Sequence, residues 1–133
     1  MPSSSGPQLR TALPATADSV RKARELIRSL YADSAVQADP DTVLLLVSEL
    51  VSNAVQHAGG TLEVSAREVG STLRVEVSDG SSALPRVHDH SVDATSGRGL
   101  QMVDRLADRW GAEPAGPGLG KTVWFEIGPS DPA

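Results

Sequence analysis

The chain contains no cysteine, which excludes disulfide bonds and thiolate metal sites and is compatible with a reducing compartment. Aromatic residues make up only 3% of the 133 residues, so aliphatic side chains must build the hydrophobic core. No apolar run approaches the roughly 20 residues that span a bilayer. The first residues, MPSSSGPQLR, also lack the apolar segment of a secretory signal. We therefore predict a cytoplasmic protein that makes no contact with a membrane.

Positive charge is also scarce, because the formal net charge is −5 at pH 7. Binding to nucleic acid depends largely on the neutralisation of phosphates by basic side chains, so this balance argues against a direct nucleic-acid partner. A chain of 133 residues is long enough for one domain with a sizeable core. We predict that domain over residues 8–128, with flexible tails at residues 1–7 and 129–133.

The strongest helical pattern runs over Asp39–Gly60. Its first residue suits an N-cap, the proline that follows suits the first helical position, and the two final glycines predict a stop. At about 100° per residue, its apolar side chains form one face: Val43, Val47, Leu50, Val51, Ala54, Val55 and Ala58. Glu49, Asn53 and His57 follow the edge of that face in steps of about 6 Å. Such a stripe is typical of a solvated helix border and also of a helix that faces a cleft.

Alternation of apolar and polar residues predicts the strands. The predicted segments are a strand over Gln8–Leu13, a helix that starts at Thr16 or Asp18 and runs to about Tyr31, a hairpin of Thr61–Val69 and Thr72–Ser78, and strands over Trp110–Glu113 and Lys121–Ile127. The hairpin ends in Asp79-Gly80, which is a common turn signal and also positions an acid to project into a pocket.

The first predicted helix has a basic exposed side, formed by Arg21, Lys22, Arg24 and Arg28. In an acidic chain this side is either a solvated helix face or a docking surface for an acidic partner. Both alternatives stay open on the sequence alone.

A glycine-flanked arginine, Gly97-Arg98-Gly99-Leu100, precedes the next helical pattern. Glycines permit a close backbone approach, and the free N–H groups of a helix start favour an anion, although a flexible helix entry has the same composition. The segment Ala83–Ser96 between hairpin and glycines has no clear periodicity and is predicted to be a cover. Its His88, Asp89, His90 and Asp93 lack the further ligand group that a metal site needs.

Two nucleotide-binding motifs fail on inspection. A P-loop ending in Gly120-Lys121 requires glycine at position 115, which is alanine, and a following helix instead of a strand. The dinucleotide fingerprint fails because Met102 stands where glycine or alanine belongs.

Four short patterns occur in a fixed order: E-x-x-x-N-A on a helix, S-D-G after a strand, G-R-G-L before a helix and G-K-T-V at the start of a strand. This series resembles the ATP-binding fold shared by gyrase, histidine kinases and mismatch-repair ATPases. More narrowly, it resembles the bacterial anti-sigma factor serine/threonine kinases, over roughly Gln8 to Ile127. The resemblance implies an α+β, two-layer sandwich of Bergerat type, in which helices cover one face of a mixed, mostly antiparallel sheet.

The resemblance also implies roles for individual residues. Glu49 matches the catalytic base and Asn53 the ligand of a magnesium ion. The other matching positions bind the nucleotide: His57, Asp79 and Gly80, the phosphate-facing Gly97, Arg98, Gly99 and Leu100, and Thr122 on the adenine side. Ser81 departs from the family, which often has glycine at that position.

The activity implied is an ATP- and Mg²⁺-dependent protein-serine/threonine kinase that acts as an anti-sigma factor. Its partners would be a sigma factor and an anti-anti-sigma antagonist, with Arg21, Arg24 and Arg28 as the docking residues and a homodimer left open. A rival is a non-catalytic nucleotide-binding module that sequesters a partner. A detached histidine kinase catalytic domain is less favoured, because no dimerisation helix or phosphoacceptor-histidine motif precedes it.

Overall fold

The period-two alternation of apolar side chains produces a five-stranded sheet with the strand order β1-β2-β3-β5-β4. The computed structural model describes residues 8–33, 36–57, 60–80, 101–114 and 120–129. The elements in chain order are β1 Gln8–Pro14, α1 Asp18–Asp33, α2 Pro40–His57, β2 Thr61–Val69, β3 Thr72–Asp79, β4 Arg109–Pro114 and β5 Lys121–Ile127. Residues 101–106 are helical. All four pairings between these strands are antiparallel.

The helix α2 begins with the cap that its sequence predicts. One carboxylate oxygen of Asp39 accepts hydrogen bonds from the backbone N–H of Thr42 at 3.0 Å and from its hydroxyl at 2.9 Å. The backbone N–H of Val43 then bonds to the carbonyl of Asp39 at 3.1 Å. These bonds fix the first turn of α2.

One aliphatic core lies between the helices and one face of the sheet. α2 packs against α1 and β3, and α1 also packs against β1. The buried residues of this core include Ala23, Ile27, Val43, Leu46, Val47, Leu50, Val51, Leu62, Val64, Leu73, Val75, Val77, Val103, Val123 and Phe125. Each large aliphatic side chain contributes about 1.5–3 kcal/mol by leaving water. With so few aromatic residues, the packing of the two layers depends on these side chains.

The other face of the sheet carries paired charges instead of apolar groups. The guanidinium of Arg74 lies 2.7 Å from a carboxylate oxygen of Glu76 and 2.8 Å from one of Glu126. The same guanidinium lies 4.1 Å from the ring centre of Trp124, a cation–π distance. A polar outer face is what an antiparallel sheet covered by helices on one side requires.

The sequence-based fold class is confirmed: the structure is α+β, with helices on one face of a predominantly antiparallel sheet. The predicted strand over Thr72–Ser78 extends by one residue to include Asp79. The division into one domain over residues 8–128 and two tails stays a prediction. Within the described ranges, no helix combines the length and apolar character needed to span a membrane.

Tyr31 offers a test of how the end of α1 packs. It is the only tyrosine in the chain, and its hydroxyl donates a hydrogen bond of 2.7 Å to the carbonyl of Ala38, just before α2. Burial, together with the carboxylates of Asp39 and Glu68, raises the pKa of its phenol from about 10 to about 12. Because the pKa of the phenol is higher in the folded protein than in the unfolded chain, the neutral phenol contributes to the free energy of unfolding. That contribution is complete below pH about 10 and is lost as the pH rises towards about 12.

We therefore expect the near-ultraviolet absorbance of the phenolate to appear with a midpoint near pH 12 in the folded protein. The variant Tyr31→Phe should lose this signal and about 1 kcal/mol of stability, because the carbonyl of Ala38 loses its donor. A midpoint near pH 10, with a native circular dichroism spectrum, would contradict this packing.

Candidate functional site

A buried ion pair joins the ends of the two central strands. Asp79, the last residue of β3, lies directly opposite Lys121, the first residue of β5, in the antiparallel register. The ammonium of Lys121 lies 3.1 Å from one carboxylate oxygen of Asp79 and 3.0 Å from the other. The two side chains are only 1% and 3% exposed, for Asp79 and Lys121 respectively. Both face the helix layer, because Asp79 continues the inward series of β3 and Lys121 begins that of β5.

Gly120 brings the backbone of the β5 entry against the end of β3. Its φ angle of +89° is in the left-handed region that favours glycine. A Cβ atom at this position would lie 1.8 Å from the carbonyl oxygen of Asp79 and 2.8 Å from the Cα of Gly80. Only glycine therefore fits here without moving the strand end that carries the aspartate.

On α2, the polar residues approach the same side of the sheet. Asn53 is 7% exposed, so it belongs to the buried side of the helix instead of its solvated edge. Glu49, one turn earlier, is half-buried. α2 packs against β3, and Asn53 on α2 and Asp79 at the end of β3 are both buried. His57 is the last residue of α2.

The hydroxyl of Ser48, the neighbour of Glu49, links the two helices. It donates to the carbonyl of Leu44 at 2.8 Å and accepts a hydrogen bond of 2.8 Å from the guanidinium of Arg24 on α1. This bond fixes α1 against the middle of α2, beside the predicted base.

The role of Thr122 on the adenine side stays a prediction, and the structure places its side chain on the other face of the sheet from Asp79. Its hydroxyl lies 2.8 Å from that of Ser78, and both side chains line a groove of about 490 Å³ on the outer face of the sheet. Successive residues of a strand point to opposite faces, so the side chain of Thr122 faces away from Asp79. The residue that shares a face with Asp79 is Lys121.

The basic side of α1 is less positive than its sequence suggests. Arg21 pairs with Asp18 at 3.0 Å and with Glu25 at 2.9 Å, and Lys22 lies 3.4 Å from Asp18. The hydrogen bond from Arg21 lowers the pKa of the Asp18 carboxyl. Of the three predicted docking residues, Arg21 is thus balanced by neighbouring acids and Arg24 is bound to Ser48. Arg28 is exposed.

Several predicted positions lie outside the described residues: Gly97, Arg98, Gly99, Leu100, Ser81, and the loop histidines and acids at positions 88, 89, 90 and 93. Gly80 is described and exposed at the end of β3. Asn53 and Asp79 are both buried, on two elements that pack together, and the phosphate-facing glycines stay a prediction.

Lys121 and Gly120 are not among the predicted site residues, because within the G-K-T-V pattern the resemblance assigns a role to Thr122 alone and the P-loop that ends in Gly120-Lys121 fails. The signal for Lys121 was present in the sequence. The predicted inward residues of this strand are Val123, Phe125 and Ile127, and position 121 is in phase with them. A charged residue in phase with a buried series indicates a charged partner inside the core.

Comparison with known proteins identifies this arrangement. The family model of the histidine kinase-like ATPase domain matches residues 13–127. The chain belongs to that family. The resemblance to the ATP-binding fold of gyrase, histidine kinases and mismatch-repair ATPases is thereby confirmed, and membership of this ATPase family implies ATP as a ligand.

The crystal structure of the RsbU and RsbW domains of Rv1364c from Mycobacterium tuberculosis has a similar fold, with a TM-score of 0.67 and 24% sequence identity. The match covers 96% of this histidine kinase-like ATPase domain and 33% of the other chain, so our chain spans about a third of that protein's resolved length. No curated protein matches the sequence.

The residues of the histidine kinase-like domain fit a nucleotide and its ion chemically. An ionised carboxylate has about four lone-pair positions, so Asp79 can accept a further donor while it is paired with Lys121. Asn53 offers a carboxamide oxygen, a ligand that Mg²⁺ accepts. Among the described residues, no group of three histidine or acidic side chains surrounds a common point. A magnesium ion there would take most of its ligands from phosphate and water, as this ion commonly does.

The close approach of Gly120 generates a stability prediction with a matched control. Gly70, in the β2–β3 turn, also has a positive φ, +65°, but a Cβ there would meet nothing within 4 Å. We expect Gly70→Ala to lose only the conformational term, about 1–2 kcal/mol. Gly120→Ala should lose more than about 3 kcal/mol, because the methyl group also overlaps the backbone of Asp79.

Urea denaturation of both variants, analysed by linear extrapolation, measures this difference. Equal losses in the two variants would show that β5 does not enter the sheet against the backbone of Asp79.

Proposed function

We propose that the protein is an ATP-dependent protein-serine/threonine kinase that acts as an anti-sigma factor. It binds a sigma factor in one state, and in another it phosphorylates a serine of an anti-anti-sigma antagonist. Mg²⁺ accompanies the nucleotide, and the protein works in the cytoplasm. The observation that carries this proposal is the family match over residues 13–127, in which an acid and a carboxamide lie one turn apart on α2.

Each residue of the proposed site has a chemical task. Asp79 accepts a hydrogen bond from the amino group of adenine. Asn53 contributes its oxygen to the magnesium ion, which neutralises phosphate charge when it is bound. The predicted glycine segment Gly97–Leu100 contacts the phosphates through its N–H groups, with Arg98 adding positive charge.

Glu49 accepts the proton of the attacking serine hydroxyl. The serine oxygen then bonds to the γ-phosphorus, the bond from that phosphorus to the bridging oxygen breaks, and ADP leaves. A half-buried carboxylate one turn from Asn53 suits this role, since a base must lie within hydrogen-bond reach of the nucleophile.

A non-catalytic module that uses nucleotide only to hold a binding shape is the second candidate. Glu49 argues against it, and the departure at Ser81 leaves it open. The two candidates differ in one measurement. A kinase converts ATP to ADP and modifies a captured partner, whereas a binding module retains ATP and leaves the partner unmodified.

We expect Glu49→Gln to slow phosphate transfer by about 10²–10⁴-fold while ATP affinity changes little, because the base is removed and the shape is kept. The assay captures partners from a lysate of the source organism with Mg-ATP, maps the phosphorylated serine, and then follows the transfer of labelled γ-phosphate to that partner.

Asp41→Asn is the matched control. It removes one carboxylate from the same helix at an exposed position, more than two turns before Glu49, and should transfer phosphate at the parental rate. If the Glu49→Gln variant also transferred phosphate at the parental rate, Glu49 would not be the base. If the parent bound ATP but modified no partner, the binding module would be the better account.

A further inference from the structure

The ammonium group of Lys121 has no task in the mechanism above, although it is held at the centre of the proposed adenine site. It contacts both oxygens of Asp79, at 3.0 and 3.1 Å, and its side chain is 3% exposed. A lysine is almost never buried to this extent unless it is paired, and its desolvation is unfavourable. The pair therefore calls for an explanation beyond packing.

We propose that Lys121 is a positioning residue of the nucleotide site, which holds Asp79 as an oriented, ionised acceptor and so selects a purine that presents an amino group. This inference rests on the proposed function, in which Asp79 binds adenine. Lys121 acts through Asp79 and need not touch the nucleotide.

The chemistry of the carboxyl group supports this role. An ionised carboxylate only accepts hydrogen bonds, whereas a protonated one also donates and is a weaker acceptor. A buried carboxylate without a cation tends to take up a proton, because the charged form is poorly solvated. The ammonium of Lys121 places a cation beside the carboxylate of Asp79, and its contact with both oxygens fixes the plane of the carboxylate.

The backbone at Gly120 also helps to hold Asp79 in place. Gly120 lies against the carbonyl of Asp79, so the segment that delivers Lys121 also fixes the main chain of the aspartate. The direct register of Asp79 with Lys121 leaves little freedom to either side chain. A carboxylate held in this way is preorganised for a donor at one position.

The primary test compares ATP with purine riboside triphosphate, which lacks only the amino group of the base. Calorimetric titration of the full chain should give a preference for ATP of roughly 10- to 100-fold, the range of a hydrogen bond to a charged group. In Lys121→Met, which keeps the length of the side chain without its charge, the preference should fall about tenfold.

The chain provides its own control, because it contains only two lysines. Lys22 is exposed on α1 and far along the chain from the site, so Lys22→Met should keep the parental preference. If Lys121→Met does not fold, the double variant Asp79→Asn with Lys121→Met replaces the buried charges by neutral groups. Its preference for ATP over purine riboside triphosphate should be about tenfold lower than that of the parent.

A second measurement needs no substitution. With isotope-labelled lysine, the ammonium signals of Lys22 and Lys121 are observed separately by NMR. ATP should shift the signal of Lys121 more than purine riboside triphosphate does, and should leave that of Lys22 unchanged. A structural role alone would not produce a response that depends on the amino group of the base.

The outcomes separate this inference from the proposed function. If the parent binds ATP but Lys121→Met keeps the full preference, Lys121 does not position the acceptor, and the kinase proposal is untouched. If the double variant keeps the full preference, Asp79 is not the acceptor, which overturns both this inference and the role proposed for Asp79. If Lys121→Met binds ATP more tightly, the lysine competes with adenine, which also overturns the inference. If the parent binds no ATP, both proposals are wrong.

Discussion

The site depends on one buried ion pair, between Asp79 and Lys121, at the point where the two central strands of the sheet meet. Removing one partner of such a pair typically costs about 3–5 kcal/mol, because the other charge stays in the core. The pair fixes the register at the ends of β3 and β5. It also requires the tight entry at Gly120, whose backbone lies against Asp79. The placement of an acid under α2 is thus a consequence of strand pairing and charge together.

The helix layer is positioned by a different kind of force. α2 packs mainly through aliphatic residues, and its cap at Asp39 fixes where its first turn begins. A rotation of the helix by one residue, about 100°, would move Asn53 out of the buried layer. The polar residues of α2 are therefore held by an apolar interface, whereas the acid on the sheet is held by a charge. Together the two hold the acids and the carboxamide to which the proposed site assigns the nucleotide and its metal ion.

Most of the fold follows from the sequence because its apolar patterns are clear. The alternation in the hairpin and in β5 predicts both the strands and their inward residues, and the cap and the proline predict the start of α2. The depth of Asn53 did not follow, since the position of a helix border depends on what packs beside it, here α1 and β3. The sequence also predicted too much free charge on α1. Asp18 and Glu25 lie three and four residues from Arg21, so the spacing in the sequence already predicts that these acids pair with Arg21. The segment around Arg98, which the resemblance assigns to phosphate, lies outside the described residues.

A stability argument alone does not explain the pair between β3 and β5. Replacing a buried ion pair by well-packed apolar residues is often neutral or stabilising, by about 1–4 kcal/mol. The remaining inward-facing residues of β5 are Val123, Phe125 and Ile127. An aliphatic pair in place of Asp79 and Lys121 would therefore continue the row of apolar side chains on this face. The charges are thus a local exception to the rule by which this core is built. Sequences that break such a rule do so mostly at functional sites, because a site needs groups that packing does not. An acceptor that stays ionised away from water is such a group, and a lysine on the neighbouring strand is a direct way to maintain it.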